Sequence, residues 1–177
     1  TNAFRGDLFT YYSGSSLNSD NRPTLRLQPA NSNAMEYITY AKDKETTLEP
    51  GLTLGGPIKK DKAWFFIGYN PSFNPLDRTV TSRADGIART KTQKNTRQNL
   101  TANITSQFNE KTRARLAFTS SGNKQEGRLQ TQDGTSSNTA NYDINDITPN
   151  VSGSLELDYT ASNKLFLHAR GVYYRSN

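Results

Sequence analysis

Residues 99–108 alternate without a break, with Leu100, Ala102, Ile104, Ser106 and Phe108 on one side and Asn99, Thr101, Asn103, Thr105 and Gln107 on the other. Successive side chains of a strand point to opposite faces, so this period of two predicts a strand with one apolar and one polar face. Residues 109–112 read as a tight turn. Beyond it Ala114, Leu116, Phe118 and Ser120 alternate with Arg113, Arg115, Ala117 and Thr119. Matched polarity on both sides of a short turn predicts an antiparallel pair. The pattern recurs near the C-terminus. Val151, Gly153, Leu155, Leu157 and Tyr159 alternate with Ser152, Ser154, Glu156 and Asp158. A turn over 160–164 then leads to Leu165, Leu167, Ala169, Gly171 and Tyr173, interleaved with Phe166, His168, Arg170, Val172 and Tyr174.

The N-terminal part is less regular. Residues 4–12 alternate, although Phe9 and Tyr11 join Arg5 and Asp7 on the second face. Residues 52–69 hold a hairpin: a short segment through Gly55, Gly56 and Pro57, a charged turn at Lys59, Lys60, Asp61 and Lys62, and the aromatic run 63–69. Gly, Pro and charge mark the bend, and aromatic and β-branched residues mark the strand. Between these segments, 13–49, 71–91 and 121–149 are rich in Ser, Asn, Asp, Gly and Pro and read as long loops. Seven strands thus alternate between short turns and loops of roughly 20 to 40 residues, far above the usual connection length. This rhythm predicts an all-β, antiparallel, up-and-down transmembrane β-barrel fragment of about seven strands, with short periplasmic turns and long extracellular loops. Strands of about ten residues suit a tilted crossing of a bilayer. Tyr12, Tyr69, Phe108, Tyr159 and Tyr173 fall near strand ends, where an interfacial aromatic belt lies. A soluble or cell-surface β-sandwich that uses the same loops as an adhesin is the alternative.

Composition sharpens this picture. Hydrophobic residues make up only 32% of the 177, and mean hydropathy is −0.83, values that suit disorder at first sight. Nine Tyr and eight Phe argue against disorder, and sheets with one polar face reconcile the two observations. With no cysteine, neither a disulfide nor a thiolate metal site is possible. No stretch approaches the ~20 apolar residues of a membrane helix. The chain opens inside a strand-like pattern without a signal peptide, so it reads as an internal piece of a longer protein.

Three stretches together resemble the TonB-dependent outer-membrane receptors, in particular the Oar-like branch that carries a carboxypeptidase-regulatory-like domain. The run Thr-Asn-Ala-Phe-Arg-Gly-Asp-Leu-Phe at 1–9 resembles the first barrel strand after the plug. The run Leu-Gly-Gly-Pro-Ile-Lys-Lys-Asp-Lys-Ala-Trp-Phe-Phe at 54–66 resembles the hairpin of the second and third strands, and 100–118 is similar in pattern to the next pair. The resemblance implies a barrel of about 22 strands around an N-terminal plug, energised through the TonB complex by way of an N-terminal segment, with capture of an unidentified ligand at the surface of a Gram-negative cell. The chain would then be the first part of that barrel, over 1–177, with plug and remaining strands supplied from outside it.

In a barrel the apolar faces (Leu100, Ile104, Phe108, Leu116, Phe118, Leu155, Leu157 and Leu167) would meet lipid. The polar faces (Asn99, Thr101, Asn103, Arg113, Arg115, Glu156, Asp158, His168 and Arg170) would line the lumen against the plug. The run 63–69 is apolar on both sides; Gly68 and Asn70 suit the interior, which puts Phe65, Ile67 and Tyr69 outward and Trp64 and Phe66 inward. No enzyme signature emerges, because the paired carboxylates Glu156 and Asp158 meet no nucleophile–base pair or cofactor loop. No cofactor is expected. His168, the single histidine, suits a hydrogen-bonding role on a strand face better than a metal site. Asp143 and Asp146, with Asn141 and Asn145, lack the Gly and Glu of a hand-type Ca²⁺ loop. Arg83, Arg89, Lys91, Lys94 and Arg97 form a basic run, read either as a solvated loop or as attraction to lipopolysaccharide phosphates. No aromatic residue interleaves them, which argues against nucleic acid as a partner. The triplets at Asn99, Asn103 and Asn150 fit glycosylation by chance.

Overall fold

The computed structural model describes residues 2–28, 31–135 and 143–176. Among the described residues are eleven strands: β1 Arg5–Gly14, β2 Thr24–Gln28, β3 Asn31–Ile38, β4 Lys44–Lys59, β5 Ala63–Tyr69, β6 Ser72–Thr81, β7 Ala88–Asn109, β8 Thr112–Glu126, β9 Asn145–Thr148, β10 Asn150–Ser162 and β11 Leu165–Ser176. Nine belong to one antiparallel sheet in the order β1-β4-β5-β7-β8-β10-β11, with β6 beside β4 and β7, and β9 beside β8. The fold is all-β, with an up-and-down path. The seven tracks of this sheet coincide with the seven segments of alternating residues. No α-helix occurs among the described residues.

Local chemistry explains the three short turns. Between β4 and β5, Asp61 adopts φ 59°, a left-handed conformation that Asp tolerates, and its N–H donates to Asn2 Oδ1 at 3.1 Å. Between β7 and β8, Asn109 Oδ1 accepts the N–H of Lys111 at 2.9 Å. Between β10 and β11, Ser162 Oγ accepts that of Lys164 at 3.3 Å. The last two bonds, each from a side chain to the N–H two residues on, mimic a backbone turn and fix register, whereas the first ties the N-terminal segment to the β4–β5 turn. The turns stand side by side: Gln107 N–H donates to the Lys62 carbonyl at 2.6 Å and Thr160 N–H to the Lys111 carbonyl at 2.8 Å.

At the other end the structure departs from the loops expected over 13–49, 71–91 and 121–149. The first holds the separate β2–β3 hairpin and the start of β4. The second is itself a hairpin: β6 pairs with β7 from Ser72↔Arg97 to Thr81↔Ala88. The third contains the end of β8 and β9; within it, 136–142, including Asn141, lie outside the described residues. In β6, β9 and the ends of β4, β7 and β8 polar residues occupy both faces and the period of two disappears, whereas β2 keeps a short alternation, with Leu25 and Leu27 opposite Tyr37 and Met35. At Pro71, directly across from Pro50 in the continuing register, neither residue can donate to the ladder. Asn70 Nδ2 instead donates to the Pro50 carbonyl at 3.0 Å, and Asn99 Nδ2 to the Asn70 carbonyl at 3.1 Å.

No large side chain is fully buried among the described residues, so packing is confined to contacts along the sheet. The best defined are aromatic rings laid over glycines. A Cβ at Gly51 would lie 2.2 Å from the Phe9 ring, and one at Gly56 2.3 Å from Phe4, whose ring also meets Phe65 at 6.3 Å. Glycine thus opens the space in which each ring covers the neighbouring strand. Gly51→Ala is expected to lose about 1–3 kcal/mol by overpacking, and adding Phe9→Ala should recover part of it. Denaturant unfolding of the single and double variants checks this; equal destabilisation by both would contradict it.

Candidate functional site

Because each strand is in register with its neighbours, rows of paired residues can be followed across the sheet. One row runs Gly56–Phe65–Ile104–Leu116–Leu155–Gly171. The next runs Leu54–Ile67–Ala102–Phe118–Gly153–Tyr173, and a third Leu52–Tyr69–Leu100–Ser120–Val151–Arg175. Leu157 pairs with Ala114 and Ala169, and Leu167 with Tyr159. Directly paired residues share a face. The register therefore gathers Leu100, Ile104, Leu116, Phe118, Leu155, Leu157 and Leu167 on one face, with Phe65, Ile67 and Tyr69. Phe108 sits at the irregularity between Gln107 and Asn109, outside the paired rows, and is exposed. This apolar face is open: Ile104 is 43% exposed, Leu116 51% and Leu155 56%.

The intervening rows form the opposite face. Asn103 pairs with Phe66 and Ala117, Thr101 with Gly68 and Thr119, and Asn99 with Ser121. Nearer the short turns the rows become charged. Arg113 pairs with Asp158 and Asp158 with His168, whose Nδ1 lies 2.7 Å from Asp158 Oδ1. Arg115 pairs with Glu156 and Glu156 with Arg170, whose Nε lies 3.4 Å from Glu156 Oε1. All nine polar candidates lie on this face, and six of them form two cross-strand ladders, Arg113–Asp158–His168 and Arg115–Glu156–Arg170, in which each carboxylate stands between two partners. Opposite charges placed directly across strands attract. Trp64 and Phe66 share this face, in the rows of Thr105 and Asn103.

The apolar band is slanted. On β1 it reaches Tyr12, whose row continues through Leu48, Phe73 and Thr96, far from the short turns. On β11 it begins at Leu167, whose row passes through Tyr159 and Thr112 at the turn itself. Hydrogen-bonded rows lie perpendicular to the strands. A band that crosses the rows obliquely therefore marks strands tilted against it.

Beyond the band the basic run divides. Arg97 pairs across the polar face with Ser72 and Asn123, whereas Lys94, three residues earlier, lies on the other face opposite Glu126. Arg83 pairs with Asp133 at 3.4 Å and Arg89 with Asp85 at 2.5 Å. The run is not one cationic patch. Sequence reading also missed a latch between the long connections. Arg78 holds both oxygens of Asp43 at 2.6 to 3.0 Å, and its Nη1 donates to the Gln130 carbonyl at 3.0 Å. Gln130, the one buried polar side chain among the described residues, donates through Nε2 to the Arg89 carbonyl at 2.6 Å. Gly134 lies so close to β6 that a Cβ would stand 2.3 Å from the Thr81 carbonyl oxygen. Separations of 35 and 52 residues leave no local sequence signal for these contacts. Among the described residues no cluster of three or more His, Cys, Asp and Glu could hold a metal ion.

With this geometry described, comparison with known proteins gives one informative match. Over 84 residues the chain is 34% identical to "TonB-dependent transporter Oar" of Myxococcus xanthus. The likeness is to a TonB-dependent transporter. The aligned part is 48% of this chain and only 7% of the relative. No protein-family model and no solved structure matches.

In the β6–β7 turn the Arg89 guanidinium, and then the Ile87 N–H, hold the Asp85 carboxyl far below its ordinary value of 3.8. Asp85 is depressed in the folded state, so its contribution is present above the unfolded value and lost only as pH falls through the folded one. The Ile87 amide, bonded to Asp85 Oδ1 at 3.1 Å, should keep its hydrogen-exchange protection at about pH 3. Asp85→Asn should lower that protection at neutral pH. Loss of protection near pH 4 in the unaltered protein would contradict this pairing.

Proposed function

We propose that this chain is a segment of the barrel of an outer-membrane TonB-dependent transporter, its apolar face against lipid and its polar face toward a lumen. The observation that carries this reading is the apolar face that register assembles from Leu100, Ile104, Leu116, Phe118, Leu155 and Leu157, exposed and slanted across the rows. A water-soluble sheet hides such a face against a second layer, whereas a barrel presents it to hydrocarbon. The slant supports the same reading, because strands that close a barrel tilt by about 35–45° from its axis. So does the length of β7: its 22 residues exceed the ~9–11 needed to cross a bilayer, and the excess lies beyond the apolar band.

In this reading the short turns with Lys60, Asp61, Glu110, Lys111 and Lys164 lie on the periplasmic side, and β6, β9, the β2–β3 hairpin and the latch stand outside the cell. The polar face, with its charge ladders near the periplasmic end, faces the plug supplied by the rest of the protein. Lipid and lipopolysaccharide surround the apolar band, the TonB complex supplies energy through the N-terminal region, and no catalysis is involved. The match to the Myxococcus transporter supports this assignment. The β-sandwich alternative needs a second sheet over the apolar face, and among the described residues neither face of the sheet has one.

Leu116→Lys in the full-length protein should reduce assembly in the outer membrane, because a lysine at mid-membrane costs about 2–4 kcal/mol. Thr101→Lys, on the polar face, should assemble normally. Membrane fractionation with heat-modifiable gel migration reads both; equal assembly of the two variants would contradict the proposed orientation.

A further inference from the structure

Beyond the apolar band, the polar face forms a concavity of about 380 Å³ lined by Thr47, Ser72, Asn74, Asn95, Arg97 and Asn123. The register places these groups together: Ser72 pairs with Arg97 and Arg97 with Asn123, while Asn74 pairs with Asn95. Five carry neutral amides or hydroxyls, and the sixth is an exposed guanidinium. Four arginines of the sheet and its connections are paired with carboxylates, Arg78 with Asp43, Arg83 with Asp133, Arg89 with Asp85 and Arg170 with Glu156. Arg97 has no carboxylate partner among the described residues. The nearby Glu45 carboxylate accepts from Asn74 Nδ2 at 2.8 Å, and the same nitrogen reaches Thr47 Oγ1 at 2.7 Å.

We propose that this concavity is a subsite for a carboxylate-bearing, hydroxyl-rich ligand, of the chemical class of sugar acids. A guanidinium presents paired N–H donors that match one carboxylate in a fork. The amides and hydroxyls around it offer both donors and acceptors, as sugar hydroxyls require. Among the six lining groups the one cation matches one negative charge, and the Glu45 carboxylate beside Asn74 disfavours a ligand of higher charge such as phosphate. The inference rests on the proposed orientation, since only a lumen-facing concavity open to the cell exterior meets such a ligand.

The test uses the full-length protein in detergent, with galacturonate and galactose as paired probes in calorimetric titrations. Galacturonate should bind detectably and galactose much more weakly. Arg97→Gln should weaken galacturonate binding roughly tenfold to a hundredfold, the loss of a charge-assisted contact. Arg97→Lys should fall between, because it keeps the charge and loses the fork. Lys94→Gln, on the opposite face, should bind as the parent does. Heat-modifiable migration is recorded for every variant. A properly folded barrel that does not bind galacturonate, or that binds it equally after Arg97→Gln, overturns the subsite alone. A protein that shows no barrel behaviour overturns the orientation on which the subsite rests.

Discussion

Every property of this sheet depends on strand register. A strand has a side-chain period of two, so a slip of one residue on any strand would move its whole apolar set to the other face. Here the rows Gly56–Phe65–Ile104–Leu116–Leu155–Gly171 and Pro57–Trp64–Thr105–Arg115–Glu156–Arg170 remain separate across six strands. Three tight turns impose that order, the β4–β5 turn closed by the Lys62 N–H on the Lys59 carbonyl and the other two by a side chain acting as a backbone mimic, and each is tied to its neighbour. Long-range contacts then follow from local ones. The charge ladders need Arg113 to face Asp158, and the bond from the Thr160 N–H to the Lys111 carbonyl holds β10 against β8 in that register.

The balance of forces differs from that of a water-soluble domain. Without a large side chain fully buried, the sheet draws little from burial within itself, and its backbone ladder and cross-strand pairs hold its shape. The exposed leucines and isoleucines of the apolar face gain nothing in water. Surrounded by hydrocarbon they incur no penalty, and the inner strands of the band pair on both sides, while the outer edges of β1 and β11 stay open to neighbouring strands. The polar face follows the opposite rule. Its arginines and carboxylates alternate across strands, so charges that would be costly alone balance each other.

The seven tracks and the sorting of residues into two faces were legible in the sequence wherever one face is apolar, as at 99–108 or 151–159. Legibility failed for two reasons. Beyond the band, β6, β9 and the ends of β4, β7 and β8 place polar residues on both faces and lose their alternation. In the aromatic run 63–69 both faces are apolar, so only Gly68 and Asn70 pointed to a division, and pairing with β7 gives the same one, with Phe65 in the row of Ile104 and Phe66 in that of Asn103. The candidate subsite shows the same limit. Thr47, Ser72, Asn74, Asn95, Arg97 and Asn123 come from four strands, and Arg97 appeared in sequence only as one member of a basic run. Register divides that run, sending Lys94 to one face and Arg97 to the other.

The central claim is that the face bearing Ile104, Leu116 and Leu155 meets lipid. The chain contains no cysteine, so single cysteines introduced in turn at 99–108 in an otherwise cysteine-free full-length protein can each carry one nitroxide label. Accessibility to oxygen, which concentrates in the bilayer, against that to a water-soluble nickel chelate reads the environment of each position. The account predicts high oxygen access at 100, 102 and 104 and low access at 99, 101 and 103. A flat profile, or nickel access highest at 104, would contradict it.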